Sequence, residues 1–348
     1  MAEKLLNIDS SLTPLLLAWY DENARTLPWR ADRDPYRVWV SEMMLQQTGV
    51  AVVNLYYPRF LEAFPTVAAL AEADEDTVLK LWEGLGYYSR ARNMHQAAKR
   101  LVSESGGVFP DTTEGLLKLP GIGTYTAGAI ASICFNSPEP AVDGNVVRVI
   151  SRLDALSDPD PAALKKRIAQ GLRPYYDTKR CGDFTQALME LGALICVPNG
   201  VPACSLCPVG ALCKAYRDKT VHLFPKRAQK PVKKTLTLTV FVFTCDGQTA
   251  LCRRDNRGLL GGLWELPNVP EALGDSAAVE QAASWGVKPS SLLRSMRASH
   301  VFTHIRWDMT AYYIDCREKS AFFTWAHDSA MASFYPLPTA FKKFLTHP

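Results

Sequence analysis

No stretch of the chain is apolar for long enough to span a bilayer, and its opening residues, MAEKLLNIDS, hold no secretory core. A soluble protein of a reducing compartment, with no membrane partner, is therefore expected. Charge of one sign is also scarce. The net charge of +4 is too small for composition alone to announce a polyanion as partner, so only local clusters of Lys and Arg could do so. Internal repeats and low-complexity tracts are missing, which sets aside solenoids and disordered spacers. What is present is a 348-residue chain, 47% hydrophobic and 21% charged, enough for two ordinary domains with cores of their own. Its nine cysteines are expected as thiols or metal ligands rather than disulfides.

From Ser11 to about Tyr216 apolar residues recur three and four apart, as in DTVLKLWEGLGYYSRARNMHQAAKRLV, and Gly and Pro punctuate them. This predicts an all-α domain over 1–222. The basic, Pro-broken FPKRAQKPVKK places a linker at 223–234. The β-branched TLTLTVFVFT, the CDGQ turn and TALCRR then predict a hairpin opening an α+β domain over 235–348, with a helix near Ser276 to Ser284.

Three stretches carry chemistry. Cys196, Cys204, Cys207 and Cys213 crowd into CVPNGVPACSLCPVGALC, a spacing that suits either a [4Fe-4S] cluster or a structural zinc. In DTTEGLLKLPGIGTYTAGAIASICF, a capping box at Asp111 and Glu114 starts a short helix, Pro120 stops it, and GIGT opens a second one. Gly121 and Gly123 would let a phosphate approach the backbone, and the free amides near Thr124 and Tyr125 would hold it through the helix dipole. A plain helical hairpin with a glycine turn is the alternative. Finally, VWVSEMMLQQT places Glu42 on the helical face of Val38, Trp39 and Leu45, where a carboxylate is either expensive or useful. Asp143, in AVDGNVVRVISRL, stands where a helix begins, as an N-cap and as a group that the helix amides would keep ionised.

In this order the hairpin (116–135), the following aspartate and the cysteine loop (196–213) resemble the helix-hairpin-helix DNA glycosylases that carry an iron-sulphur cluster. Among these the chain is most similar to the MutY family of adenine DNA glycosylases. LPWR, VWVSEMMLQQT, GLGYYSRARN, LPGIGTYTAGAI and VDGNVVRV all fall in that family's order. GLLGGLWELP resembles the start of a Nudix fold, but the stretch where a Nudix hydrolase gathers metal-binding carboxylates offers Glu280 almost alone, so a binding module is expected there.

The resemblance implies excision of adenine opposite 8-oxoguanine or guanine in double-stranded DNA, by a monomer holding a [4Fe-4S] cluster. It implies Glu42 as general acid with a raised pKa, Asp143 as the ionised partner of a cationic sugar, and Tyr125 and Asn145 orienting Asp143. Gln47 would be the wedge that replaces a flipped base, with Gln46 beside it, and Tyr88 would insert near the 8-oxoguanine. Trp29, Arg30 and Gln186 would line the adenine pocket, and Phe302, Thr303 and His304 would read the lesion. Arg90, Arg92, Arg148, Lys165 and Lys166 are phosphate candidates. Tyr125 stands where related endonuclease III enzymes carry a lysine, so no efficient strand-cleaving step is expected. A bacterial cytoplasm, with the protein on the nucleoid, is the expected location. A thymine or oxidised-pyrimidine glycosylase of the same superfamily and a non-catalytic DNA-binding protein are the competing readings.

Overall fold

Apolar residues at helical spacing become helices where a capping side chain, a glycine or a proline marks the ends. The computed structural model describes residues 5–226, 232–255 and 258–345. Within them lie α1 (Leu12–Asn23), α2 (Pro35–Leu45), α3 (Val50–Ala63), α4 (Val67–Glu72), α5 (Glu75–Leu81), α6 (Ser89–Ser105) and α7 (Thr113–Leu116). The series continues with α8 (Thr124–Phe135), α9 (Gly144–Leu153), α10 (Pro161–Leu172), α11 (Cys181–Leu194) and α12 (Lys214–Arg217). Asp34, Asp143 and Asp160 cap α2, α9 and α10, each accepting a backbone N–H at 2.8–2.9 Å. Such caps contribute about 1 kcal/mol each. At α7 the cap is Thr112, whose hydroxyl accepts from Gly115 N–H at 3.2 Å, rather than the Asp111 expected from the sequence.

The chain divides into two units, Met1–Glu72 with Asn93–Gln229, and Ala73–Arg92 with Lys230–Pro348. The sequence division, 1–222 and 235–348, leaves 73–92 in the helical domain. The structure packs that segment with the C-terminal unit, where Asp76 accepts from Arg253 Nη2 at 2.8 Å and from Trp264 Nε1 at 3.2 Å. Part of the linker, residues 227–231, lies outside the described residues. In the helical unit the main core joins Leu12 and Leu16 of α1, Val146, Val149 and Ile150 of α9, and Phe184, Leu188 and Leu191 of α11. Gly192 lets α11 close onto α9, since a Cβ there would lie 2.5 Å from Asn145 Cβ.

The C-terminal unit is a mixed sheet. Its strands are β1 (Lys234–Cys245), β2 (Gln248–Arg253), β3 (Trp264–Glu265), β4 (Asn268–Val269), β5 (Pro289–Val301), β6 (Ile305–Cys316) and β7 (Thr324–Ala326), ordered β3-β2-β1-β6-β5, with β4 on β1 and β7 on β2. β1 runs parallel to β6 and antiparallel to β2. Asp246 and Gly247, both with positive φ, close the expected hairpin. Central β1 is buried on both faces, so its period of two sorts Leu238, Val240 and Val242 into a core with Phe341 and Phe344, and Phe241, Phe243 and Cys245 into another. The second core is closed by Ala278 and Ala282 of α13 (Asp275–Ser284), the helix expected near Ser276 to Ser284. Two short helices, α14 (Asp328–Phe334) and α15 (Thr339–Lys342), complete this unit.

Candidate active site

Glu42 lies in the last turn of α2 and is 5% exposed. Tyr125, in the first turn of α8, donates its hydroxyl to Glu42 Oε2 at 2.5 Å. Burial pushes the Glu42 carboxyl up to about 7; the nearby Asp143 carboxylate adds to this, while the Tyr125 hydroxyl and Arg30 oppose it. Near neutral pH Glu42 therefore holds a proton part of the time. The sequence placed Tyr125 as an orienter of Asp143, but its hydroxyl serves Glu42 instead.

Asp143 caps α9, with Oδ1 accepting from Val146 N–H at 2.8 Å and Oδ2 from Asn145 Nδ2 at 2.8 Å. The helix start was expected to keep Asp143 readily ionised. Burial instead raises its pKa, against the hydrogen bonds from Val146 and Asn145 and the charge of Arg148. Arg148, a sequence candidate for phosphate, is buried and spent internally: Nη2 donates to Asn145 Oδ1 and Gly192 O at 2.7 Å, and Nε to Cys196 O at 2.6 Å.

Glu42, Tyr125, Asp143 and Asn145 line one cleft of about 910 Å3 together with Trp29, Arg30, Gln46, Gln47, Gly121, Gly123, Thr124 and Gln186. Gln47 is exposed and left-handed, φ 59°, at the point where α2 ends. Gln46 turns its amide to Thr126 Oγ1 at 3.3 Å. In the hairpin, Gly121 has φ 76° and a Cβ would strike Asn93, so glycine is required there. Gly123 has ordinary extended backbone, and its surroundings are open, leaving room at the N-terminus of α8 beside exposed Thr124.

The sequence reading missed Glu190 and Arg25, which line the same cleft. Glu190 accepts from Arg25 Nε at 2.6 Å, Arg25 Nη2 at 2.8 Å and Arg30 Nη2 at 2.9 Å. Burial opposes its ionisation, but these hydrogen bonds hold its pKa at about 2. Glu190 follows Gln186 by one helical turn of α11, a spacing that could have flagged it. Lys165 also lines the cleft, with Nζ 5.9 Å from the Tyr125 ring centroid.

Cys196, Cys204, Cys207 and Cys213 line one cavity with Arg152, Val149 and Leu191. Arg152 Nη1 lies 3.2 Å from Cys196 Sγ, and Cys213 Sγ lies 3.3 Å from Arg152 O. Burial pushes the Cys207 thiol up to about 12. Four cysteines around one cavity are the residue types of a thiolate-ligated metal centre, whose positive charge would hold its ligands deprotonated, although among the described residues no three such side chains are drawn together as they would be around an ion. The loop from Val197 to Ala203 carries the long spacing between the first two cysteines, and Ala203 N–H returns to Ile195 O at 3.1 Å to close it.

In the C-terminal unit Phe302, Thr303 and His304 form the tip between β5 and β6, not part of an alternating strand; Phe302 N–H donates to Ile305 O at 2.8 Å. The Phe302 ring packs on Trp307, while Thr303 and His304 are exposed. Tyr88, the residue expected to insert beside the lesion, is 6% exposed, and its hydroxyl accepts from Gly84 N–H at 3.3 Å. Its neighbour Tyr87 is 44% exposed, has φ 47°, and its hydroxyl meets Thr303 Oγ1 at 2.6 Å. Arg90 is buried and donates to the Leu85 and Gly86 carbonyls, and Arg92 pairs with Glu75 at 3.1 Å, so both are engaged within the protein.

Residues 40–174 match the model of the HhH-GPD superfamily of base excision DNA repair proteins, and residues 239–347 match a NUDIX domain. The chain is 38% identical to the adenine DNA glycosylase of Homo sapiens over 85% of its own length and 65% of the human protein's. With the adenine DNA glycosylase of Rattus norvegicus it shares 37% identity, over 85% of this chain and 69% of the rat protein. With that of Buchnera aphidicola subsp. Baizongia pistaciae it shares 34%, over 85% and 83%. A solved thermostable thymine-DNA glycosylase superposes with TM-score 0.54 at 26% identity, covering 59% of this chain and 95% of that one. An endonuclease III–DNA complex, TM-score 0.52 and 22% identity, covers 61% and 99% and shares the helical fold. No helix among the described residues is long and apolar enough to cross a membrane. With both domain models matched, and with relatives 37% and 34% identical covered over 69% and 83% of their own length, the chain belongs to the adenine DNA glycosylase family, base excision repair enzymes that hydrolyse N-glycosyl bonds.

Proposed function

We propose that the protein excises adenine mispaired with 8-oxoguanine, or with guanine, from double-stranded DNA, and that it works as a monomer on the nucleoid of a bacterial cytoplasm. The observation that carries this reading is buried Glu42 and half-buried Asp143 in one cleft with Tyr125. Adenine is a poor leaving group, so the base must take a proton as the sugar becomes cationic. Glu42, with a pKa near 7, donates that proton toward adenine N7. Asp143, steadied by Asn145 and the Val146 amide, stabilises the oxocarbenium-like sugar or traps it covalently, after which ionised Glu42 activates water.

The flipped adenine sits against Trp29, Arg30 and Gln186, with Glu190 holding Arg30 in place. Gln47 fills the gap in the stack, with Gln46 beside it, and the Gly121–Gly123 turn with Thr124 grips a phosphate. Phe302, Thr303 and His304 read the 8-oxoguanine. The inserting aromatic is Tyr87 rather than Tyr88, because only Tyr87 is exposed and hydroxyl-paired to Thr303. Cys196, Cys204, Cys207 and Cys213 hold a [4Fe-4S] cluster, which braces the loop after α11.

The test is incubation with duplexes carrying adenine opposite 8-oxoguanine, adenine opposite guanine, thymine glycol, or a G·T mismatch, each with and without alkali. Adenine should be released fastest opposite 8-oxoguanine, with strand breaks only after alkali because Tyr125 cannot form a Schiff base. Faster release of thymine or thymine glycol would give the protein to the pyrimidine glycosylases of its superfamily. Binding without release of any base would reduce it to a DNA-binding protein.

A further inference from the structure

The turn that carries Tyr87 belongs to the first third of the sequence, yet Leu337 and Lys342, more than 250 residues on, share with Lys80 in satisfying the carboxylate at its start. Glu83, whose side chain is 9% exposed, accepts from Leu337 N–H at 2.7 Å, from Lys80 Nζ at 3.0 Å and from Lys342 Nζ at 2.6 Å. Lys80 Nζ also donates to the Met331 and Tyr335 carbonyls, at 3.1 and 3.0 Å, at the end of α14. An exposed ion pair would hold little, but a nearly buried carboxylate gathering two ammoniums and an amide is a directional lock.

Beyond Glu83 the backbone is unusual. Gly84, Gly86 and Tyr87 all have positive φ, 103°, 72° and 47°, and for tyrosine that conformation needs surroundings that impose it. Arg90 supplies part of them, with its guanidinium over the Trp82 and Tyr87 rings at 5.2 and 5.6 Å. Trp82 Nε1 adds a bond to Gly86 O at 3.1 Å. The lock at Glu83 anchors the near end of this turn to the C-terminal segment, and the Tyr87–Thr303 hydroxyl pair closes its far end on the lesion-reading tip.

We infer that Glu83 is a positioning residue for lesion preference: by bridging Leu337 N–H, Lys80 and Lys342 it sets Tyr87 against Thr303, and through that pair it sets the choice of 8-oxoguanine over guanine opposite adenine. The inference rests on the recognition role proposed above for Tyr87 and Thr303. It gives a task to a carboxylate outside both the adenine cleft and the recognition tip.

The experiment compares the full-length, iron-loaded wild type with Glu83→Ala, Glu83→Gln, Thr303→Val and the Glu83→Ala/Thr303→Val double variant. It reads the ratio of kcat/KM on duplexes with adenine opposite 8-oxoguanine and opposite guanine, alongside single-turnover rates at saturating enzyme. Glu83→Ala should lower the ratio roughly tenfold or more, the scale of one lost charged hydrogen bond. Glu83→Gln keeps an oxygen for Leu337 N–H and should lose less. The single-turnover rate should move less than twofold, and in the Thr303→Val background Glu83→Ala should have no further effect on the ratio. A general loss of stability would instead act equally in both backgrounds. A wild-type ratio near one would overturn the lesion-recognition reading itself. A high wild-type ratio that Glu83→Ala leaves in place, or lowers equally with and without Thr303, would overturn the role of Glu83 alone.

Discussion

Replacing Glu42 by glutamine separates what this residue does for catalysis from what it does to stability. In the unfolded chain its carboxyl titrates near the ordinary 4.5, whereas in the fold burial holds it near 7. Below pH 4.5 both states keep the proton. Between 4.5 and 7 the unfolded chain gives it up while the folded one retains it, so the wild type loses stability as pH rises through that window. Above about 7 both are ionised and the loss is complete. At about 1.4 kcal/mol per pH unit, the cost is about 1 kcal/mol at pH 5.5 and about 3 kcal/mol at pH 8. Glutamine has the same shape, still accepts from the Tyr125 hydroxyl, and does not titrate. Glu42→Gln should therefore release no adenine, yet gain stability over the wild type by about 2 kcal/mol more at pH 8 than at pH 5.5. Urea unfolding of both proteins at several pH values, with one probe in the helical unit, measures that difference. A stability gap that does not change with pH would refute the raised pKa, and with it the proton that Glu42 is proposed to donate.

Arg148→Gln should slow single-turnover adenine release about tenfold while duplex binding persists, because Asn145 loses the Nη2 bond that holds it toward Asp143 and the buried acceptors Gly192 O and Cys196 O lose their donor; an unchanged rate would detach Arg148 from the site. Protein purified without oxygen should be brown, with iron and sulphide near four per chain, and Cys207→Ser should lose iron together with stability of the helical unit. Stoichiometric zinc in place of iron would reassign the four cysteines.

Period and punctuation in the sequence were enough to separate a helical part from a sheet part, because amphipathic spacing and turn residues act locally. The hairpin at Asp246 and Gly247 and the helix Asp275–Ser284 stand where that reading placed them. The apolar neighbours of Glu42 likewise announced a burial that the fold bears out. Local pattern could not decide which groups meet across the chain. Tyr125 serves Glu42 rather than Asp143 because α8 packs beside α2, and Arg25 joins Glu190 from 165 residues away. Asp143 shows the limit most directly: the sequence supplied its helix cap, which favours charge, but only the packed interior supplied the desolvation that opposes it. Tyr87 and Tyr88 are chemically identical neighbours. Which one faces outward goes with the left-handed turn after Glu83, where nearby Arg90 and Trp82 line the turn and Leu337 and Lys342, far along the chain, meet Glu83 at its start.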